Sequence, residues 1–81
     1  MDEQTKRLLT CFRTVFGNLP DAELLRASTS TLAKWDSVAS ITLVNVIEEE
    51  FQMQFDYDLI ADLTSFDAVA KYVKSANGAH A

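Results

Sequence analysis

The 81-residue sequence contains few of the residues that build disulfides, metal sites or catalytic triads. Its one cysteine, Cys11, cannot form an internal disulfide, and its one histidine, His80, leaves the chain without a Cys/His set for zinc. With a single imidazole, a Ser-His-Asp or Cys-His arrangement is almost excluded. We therefore expect a protein that is not an enzyme, with no catalytic residues and no bound metal.

Turn-forming residues and long apolar runs are also scarce. Two glycines and one proline are too few for a many-stranded β protein, whereas 48% apolar residues are too many for a disordered chain. No apolar run approaches the ~20 residues that cross a membrane. Because Met1 is followed by Asp2 and Glu3 rather than by a basic segment and an apolar run, we predict no secretory signal, no membrane span and a cytoplasmic location.

Negative charge is concentrated in the middle of the chain. The formal net charge is −5, and residues 36–70 hold eight Asp and Glu residues and no Lys or Arg. Such a charge repels nucleic-acid phosphate, so no nucleic-acid partner is expected. The acidic stretch is either a solvated face, which is the commoner meaning of this pattern, or a surface that attracts basic partners.

Apolar residues recur at helical spacing in four segments, which predicts an all-α fold. Residues 17–36 form a long connection in which residues 21–25 can make one helical turn. The expected architecture is a small four-helix bundle with a long first loop and a short third helix. One domain over residues 1–76 precedes a flexible tail over residues 77–81. The predicted helices span, in order, residues 2–16, 36–52, 56–63 and 66–75.

The same periodicity predicts which side chains are buried. Val38 flanks the apolar stripe of the second helix, with Ile41 nearby, and Leu59 is expected to point inward from the third helix. Trp35 is expected to pin the long loop to the core, and Thr64 opens a near-capping box, Thr-Ser-Phe-Asp, before the last helix. The predicted core is lined by Leu8, Phe12, Leu43, Val44, Ile47, Ile60 and Val69.

Asp36 and Ser37 stand at the head of the second helix. An Asp-Ser pair before an apolar-periodic run is most often only a helix cap. Here it belongs to a longer ordered pattern: Trp-Asp-Ser-Val over residues 35–38, Ile-Glu-Glu-Glu-Phe over residues 47–51, and Leu-Thr-Ser-Phe over residues 63–66.

With this pattern the sequence resembles the acyl carrier protein family over nearly its whole length. That family has Asp-Ser-Leu at the start of its second helix, Glu-Glu-x-Phe near the end of that helix, and a short third helix. The resemblance implies a free-standing carrier in which a phosphopantetheinyl transferase joins 4′-phosphopantetheine to Ser37 through a phosphodiester. The thiol of that group then carries acyl intermediates of fatty-acid, polyketide or specialised pathways as thioesters.

The resemblance also implies roles for residues around Ser37. Asp36, the adjacent motif acid, would help the transferase hold its metal ion. Partner enzymes that load or transfer acyl groups would bind this protein through basic docking patches. The protein itself is expected to be a monomer. The implied partner-binding residues are Val38, Glu48, Glu49 and Glu50.

Two departures from the family bear on the pathway. Val38 replaces the usual leucine, and Ala39, Ser40 and Thr42 stand where acids are frequent in the family. A specialised pathway therefore fits at least as well as fatty-acid synthesis. An aminoacyl or peptidyl carrier protein remains an alternative, as does an unmodified acidic helical interaction module in which Ser37 is only part of a cap. A further expectation is that the core parts slightly to shelter an acyl chain.

Overall fold

The computed structural model describes residues 2–78, and within them it contains helices but no β-strand. The predicted all-α fold is thereby confirmed, and residues 21–25 do form a short helix. No helix in the described part of the chain combines the length and apolar content needed for a membrane crossing. The elements are α1 (Glu3–Phe16), α2 (Asp21–Leu25), α3 (Ser37–Phe51), a 3₁₀ helix (Tyr57–Asp62) and α4 (Phe66–Gly78).

The last helix is longer than the sequence predicts. Periodicity ends the helix near residue 75, but α4 continues to Gly78. The predicted flexible tail begins at residue 77, so its first two residues belong to the helix, and residues 79–81 lie outside the described residues. His80 is among them.

Helix α1 is capped at both ends by residues that the sequence marks as helix signals. The Asp2 carboxylate accepts the Thr5 N–H at 2.7 Å, and hydrogen bonding to the Thr5 side chain and then to this N–H lowers the pKa of Asp2. At the other end, Gly17 has φ +98°, a conformation that strains any residue with a Cβ, and its N–H donates to the Arg13 carbonyl at 2.8 Å. Arg13 also forms an ion pair with Asp21, which ties α1 to α2.

A single apolar core joins α1, α3 and α4. Phe12, which is fully buried, lies at its centre, with ring centroids 5.9 Å from Phe16, 5.4 Å from Trp35 and 4.8 Å from Phe66. Cys11 is buried beside them. Every predicted core residue is fully buried except Ile60, which is half-buried; the confirmed ones are Leu8, Phe12, Leu43, Val44, Ile47 and Val69.

The long connection between α1 and α3 is held firmly to the rest of the molecule. Its Thr29 N–H donates to the Thr64 carbonyl, and its Ala27 carbonyl accepts the Phe66 N–H, both at 2.9 Å. Trp35 is buried, at 3% exposure, which confirms the prediction that it pins the loop to the core, and Leu24 of the same connection is buried as well. The start of α3 is therefore fixed relative to the start of α4.

The turn after α3 is organised by Glu48. Gln52 adopts a left-handed conformation (φ 54°), and its N–H donates to the Glu48 carbonyl. The Glu48 carboxylate then accepts the Phe55 N–H at 2.8 Å. Alternate residues turn inward along this link as the sequence predicts: Phe51 and Phe55 are buried and Met53 is half-buried.

The helix predicted over residues 56–63 is the 3₁₀ helix Tyr57–Asp62, and its geometry determines which residues face inward. Ile60 and Leu63 lie on one face because a 3₁₀ helix has three residues per turn. Leu59 is rotated away from that face and is 41% exposed, so the prediction that it points inward is wrong.

The cap of α4 is displaced by one residue from the predicted position. The Ser65 hydroxyl, not that of Thr64, accepts a helix N–H, that of Ala68 at 3.0 Å. Thr64 is used differently, because its carbonyl accepts the Thr29 N–H that joins the loop to α4. The predicted Thr-to-Asp capping box is therefore replaced by a Ser65 cap.

We expect Glu48→Ala to lower the free energy of unfolding by about 1–3 kcal/mol, because the half-buried Phe55 N–H loses its acceptor. Glu49→Ala is the matched control: Glu49 is exposed, and its loss should change stability by no more than about 0.5 kcal/mol. Urea denaturation of both variants checks this. Equal stability of the two would show that the Glu48 hydrogen bond contributes nothing.

Candidate functional site

Ser37 is the first residue of α3 and is exposed. The chain reaches it directly from the buried Trp35, so an anchored side chain lies two residues before an accessible hydroxyl. The first N–H groups of an α-helix have no partner within the helix and carry partial positive charge. This position therefore favours a covalently attached anion and leaves it open to other proteins.

Asp36 is the N-cap of α3. Its carboxylate accepts the Ala39 N–H at 2.9 Å, and its carbonyl accepts the Ser40 N–H at the same distance. The plain capping interpretation of the Asp-Ser pair is thus correct for the aspartate. The carboxylate is exposed and adjoins Ser37, so capping leaves it accessible from solvent.

A surface groove of about 550 Å³ opens beside Ser37, between the start of α3 and the 3₁₀ helix. This volume lies within the range of small-molecule sites. Its walls combine hydroxyl groups with apolar side chains, and Ser37 and Asp36 form part of its rim. The other lining residues are Thr29, Trp35, Ser40, Ile41, Tyr57, Ile60, Ala61, Leu63 and Thr64.

Trp35, Ser40, Ile60 and Leu63 lie between this groove and the core, since all four line both the groove and a small interior void. The Trp35 Nε1–H donates to the Ser40 Oγ at 2.9 Å, and both residues line the groove on one side and a void of about 10 Å³ on the other. The void lies among buried side chains, including Leu43, Ile47 and Val69. It has room for at most about one water molecule.

The solvent-facing side of α3 is largely uncharged near Ser37. Val38 is 73% exposed, so the expectation that it flanks the buried stripe is wrong, and Ile41, at 52% exposure, also lies outside that stripe. The reason is geometric: a rotation of 100° per residue places them opposite Leu43 and Ile47. The same exposed side continues through Thr42 and Asn45 to Glu49; all of these residues are solvent-exposed.

The three acids of the predicted triplet differ in their surroundings, because two of them bind other parts of the chain. Glu48 accepts the Phe55 N–H and is half-buried. Glu50 pairs with Arg7 at 2.7 Å, and Arg7 also donates to the Glu50 carbonyl and lies 4.5 Å from the centre of the Phe51 ring. Glu49 is exposed and forms no ion pair within residues 2–78.

Sequence reasoning missed the opposite wall of the groove. Tyr57, 64% exposed, and Thr29 come from segments assigned only to a helix start and a polar loop. The sequence signal for Tyr57 is an aromatic residue directly after Asp56, where the short helix is predicted to begin. No local signal brings Thr29 to Thr64, because the backbone bridge between their segments joins residues far apart in sequence.

The described residues offer little else for chemistry. Within 2–78 no three His, Cys, Asp or Glu side chains lie close enough to hold a metal ion. Burial, and then the charge of Glu50, raise the pKa of the Cys11 thiol to about 11, so Cys11 is a poor nucleophile at neutral pH. Comparisons with protein-family models, with curated proteins and with solved structures found no match to this chain.

Replacing Asp36 tests its capping role. We expect Asp36→Ala to destabilise the protein by about 0.5–2 kcal/mol, because the Ala39 N–H loses its acceptor. Asp36→Asn keeps a side-chain oxygen in place, so it should lower the free energy of unfolding by only a few tenths of a kcal/mol. Thermal unfolding of the two variants measures the difference. Equal losses in both would mean that charge, not the hydrogen bond, stabilises this end of α3.

Proposed function

We propose that this protein is an acyl carrier protein, in which Ser37 bears 4′-phosphopantetheine and presents acyl groups to partner enzymes. In this proposal α1, α3, the 3₁₀ helix and α4 correspond to the four helices of the carrier bundle, and the protein acts as a cytoplasmic monomer without catalysis of its own. The observation that carries the proposal is the position of Ser37, exposed at the head of α3 and on the rim of a groove.

The hydroxyl groups of three other serines have structural duties. Ser28 accepts the N–H groups of Ser30 and Thr31 at 3.2 Å, Ser40 accepts from Trp35, and Ser65 caps α4. Ser37 instead combines exposure with a helix N-terminus. This combination supports Ser37 as the acceptor for a modifying enzyme.

The residues around Ser37 fit a phosphodiester anion and the arm that follows it. The helix N-terminus favours the negative charge of the phosphodiester, and the acid at this end, Asp36, is the N-cap that accepts the Ala39 N–H. The adjoining groove offers hydroxyl groups of Thr29, Ser40 and Thr64 beside apolar walls, which suits an arm that contains amides as well as methylenes. When bound, the group supplies a terminal thiol that holds acyl groups as thioesters.

The chain's own contribution is attachment and recognition. The rigid loop holds the start of α3 in place, so the attachment point has a fixed position relative to the surface that partners read. The carboxylate of Asp36 is exposed beside Ser37, where it can help the transferase hold its metal ion. Partner enzymes would dock on the exposed side of α3, where Val38 and Ile41 provide apolar contact and Glu49 provides the charge for a basic patch.

Intact-mass measurement tests this function. The purified protein is incubated with coenzyme A, Mg²⁺ and a phosphopantetheinyl transferase of broad specificity, with a matched reaction that lacks coenzyme A. We expect the mass to increase by one phosphopantetheinyl group only in the complete reaction. An unchanged mass, with a known carrier protein modified in parallel, would reject the carrier function and favour the unmodified interaction module.

A further inference from the structure

The boundary between the surface groove and the core decides which acyl groups a carrier of this shape accepts. Trp35, Ser40, Ile60 and Leu63 form that boundary, since all four line both the groove and the small interior void. An acyl chain that starts from Ser37 has to cross this boundary, in which Trp35 is the largest side chain, to reach Leu43, Ile47 and Val69. Whether it passes depends on how firmly Trp35 is held.

Trp35 is held from several sides. It is 3% exposed, its ring meets Phe12 edge-on at 5.4 Å, and it contacts Phe16 at 5.5 Å. Its one polar atom is satisfied by the hydroxyl of Ser40 at 2.9 Å. Moving the indole aside would break this hydrogen bond and separate the aromatic cluster, in surroundings that are packed too densely to absorb the displaced ring.

The space behind Trp35 is also too small for cargo. The interior void of about 10 Å³ has no room for even a short carbon chain, whereas the groove on the solvent side has about 550 Å³. Ile41 and Tyr57 supply apolar surface in the groove, and Thr29 and Thr64 supply hydroxyl groups. Such mixed walls suit a short acyl group together with its polar thioester.

We infer that this carrier holds short acyl groups in the surface groove. We also infer that the boundary of Trp35, Ser40, Ile60 and Leu63, fastened by the Trp35–Ser40 hydrogen bond, closes the helical core to long chains. The inference rests on the proposed function and narrows it from acyl groups in general to short ones. It also answers a question left open by the sequence, because Leu43, Val44, Ile47 and Val69, which were expected to help shelter an acyl chain, line the small void and not the groove.

The test uses protein loaded at Ser37 from butyryl- or dodecanoyl-coenzyme A, with loading verified by mass. Nuclear Overhauser effects are then measured from the acyl protons to methyl groups of the protein. We expect the butyryl group to contact Ile41 and Ala61, and neither chain to contact Leu43, Ile47 or Val69. Hydroxylamine should release the two acyl groups at equal rates, since the core protects neither thioester.

Variants of the boundary complete the test. Trp35→Phe removes the donor and part of the ring, and we expect it to admit the dodecanoyl chain, with new contacts to Ile47 and Val69. If that variant does not fold, Ser40→Ala serves instead, because it removes only the acceptor. A folded variant that still excludes the chain would contradict the role of the Trp35–Ser40 pair.

The possible outcomes separate this inference from the proposed function. Dodecanoyl contacts with Leu43, Ile47 or Val69 in the unaltered protein would overturn the inference and leave the carrier function intact. Failure of the transferase to load Ser37 at all would overturn the carrier function, and the inference with it. Loaded protein with contacts confined to the groove supports both.

Discussion

Ser37→Ala should abolish transfer of the phosphopantetheinyl group completely. The hydroxyl is the nucleophile that the proposed modification consumes, and no neighbouring group can replace it, since Asp36 caps α3 and the Ser40 hydroxyl binds Trp35. Because Ser37 is exposed, its replacement by alanine should change stability by no more than about 0.5 kcal/mol. Intact mass after the transferase reaction and thermal unfolding of the same sample measure the two effects.

Ser30→Ala is the matched control for this variant. Ser30 is also an exposed serine, but it lies in the loop between α2 and α3, away from a helix N-terminus. Its loss should leave the transfer unchanged. A mass increase that persists in Ser37→Ala, or that disappears in Ser30→Ala, would show that the attachment site is assigned to the wrong residue.

Among the proposed substitutions, Phe12→Ala should lower the free energy of unfolding the most. Phe12 is fully buried, and its ring contacts Phe16, Trp35 and Phe66, so it links α1 to the loop before α3 and to the start of α4. Truncation of such a residue costs about 3–5 kcal/mol through lost burial and a new cavity. The free energy of unfolding of a domain is about 0.05–0.15 kcal/mol per residue, so one to a few losses of this size are enough to unfold an 81-residue protein.

Urea denaturation with tryptophan fluorescence measures this loss, because Trp35 reports on the cluster directly. Tyr57→Ala is the control: it also removes an aromatic side chain, but one that is 64% exposed, and we expect a change below about 1 kcal/mol. A Phe12→Ala variant as stable as Tyr57→Ala would mean that the aromatic cluster does not hold the helices together.

Much of the fold could be predicted from local pattern. The stripe of Leu8, Phe12 and Phe16 identifies α1 and its buried face, and Gly17 marks its end. The Asp36 cap and the Leu43, Ile47 and Phe51 spacing do the same for α3. These predictions succeed because caps and amphipathic periods act within a few residues, so the information needed is contained in the segment itself.

The mistaken predictions concern apolar residues on the outer side of a helix. Leu59 has the apolar character of a core residue, but the 3₁₀ geometry of residues 57–62 turns it outward. Val38 and Ile41 are apolar yet exposed because the helical rotation places them opposite Leu43 and Ile47, so apolar character alone does not identify a buried residue.

The same limit applies to the candidate site. Glu48 and Glu50 look like free surface acids in sequence, and only the folded chain brings the Phe55 N–H to one and Arg7 to the other. The groove beside Ser37 is likewise built from three separate segments, so the sequence locates the hydroxyl but not the space next to it. The docking role of Glu48, Glu49 and Glu50 stays a prediction, with Glu49 and Glu50 exposed and Glu48 half-buried.

The most direct test of the carrier proposal is the state of Ser37 in protein purified from the cells that normally produce it. Peptide fragmentation by mass spectrometry would identify the covalent group and the residue that bears it. We predict a phosphopantetheinyl group on Ser37, with a population that carries an acyl thioester. Protein that is expressed and folded in those cells with an unmodified Ser37 would contradict the proposal.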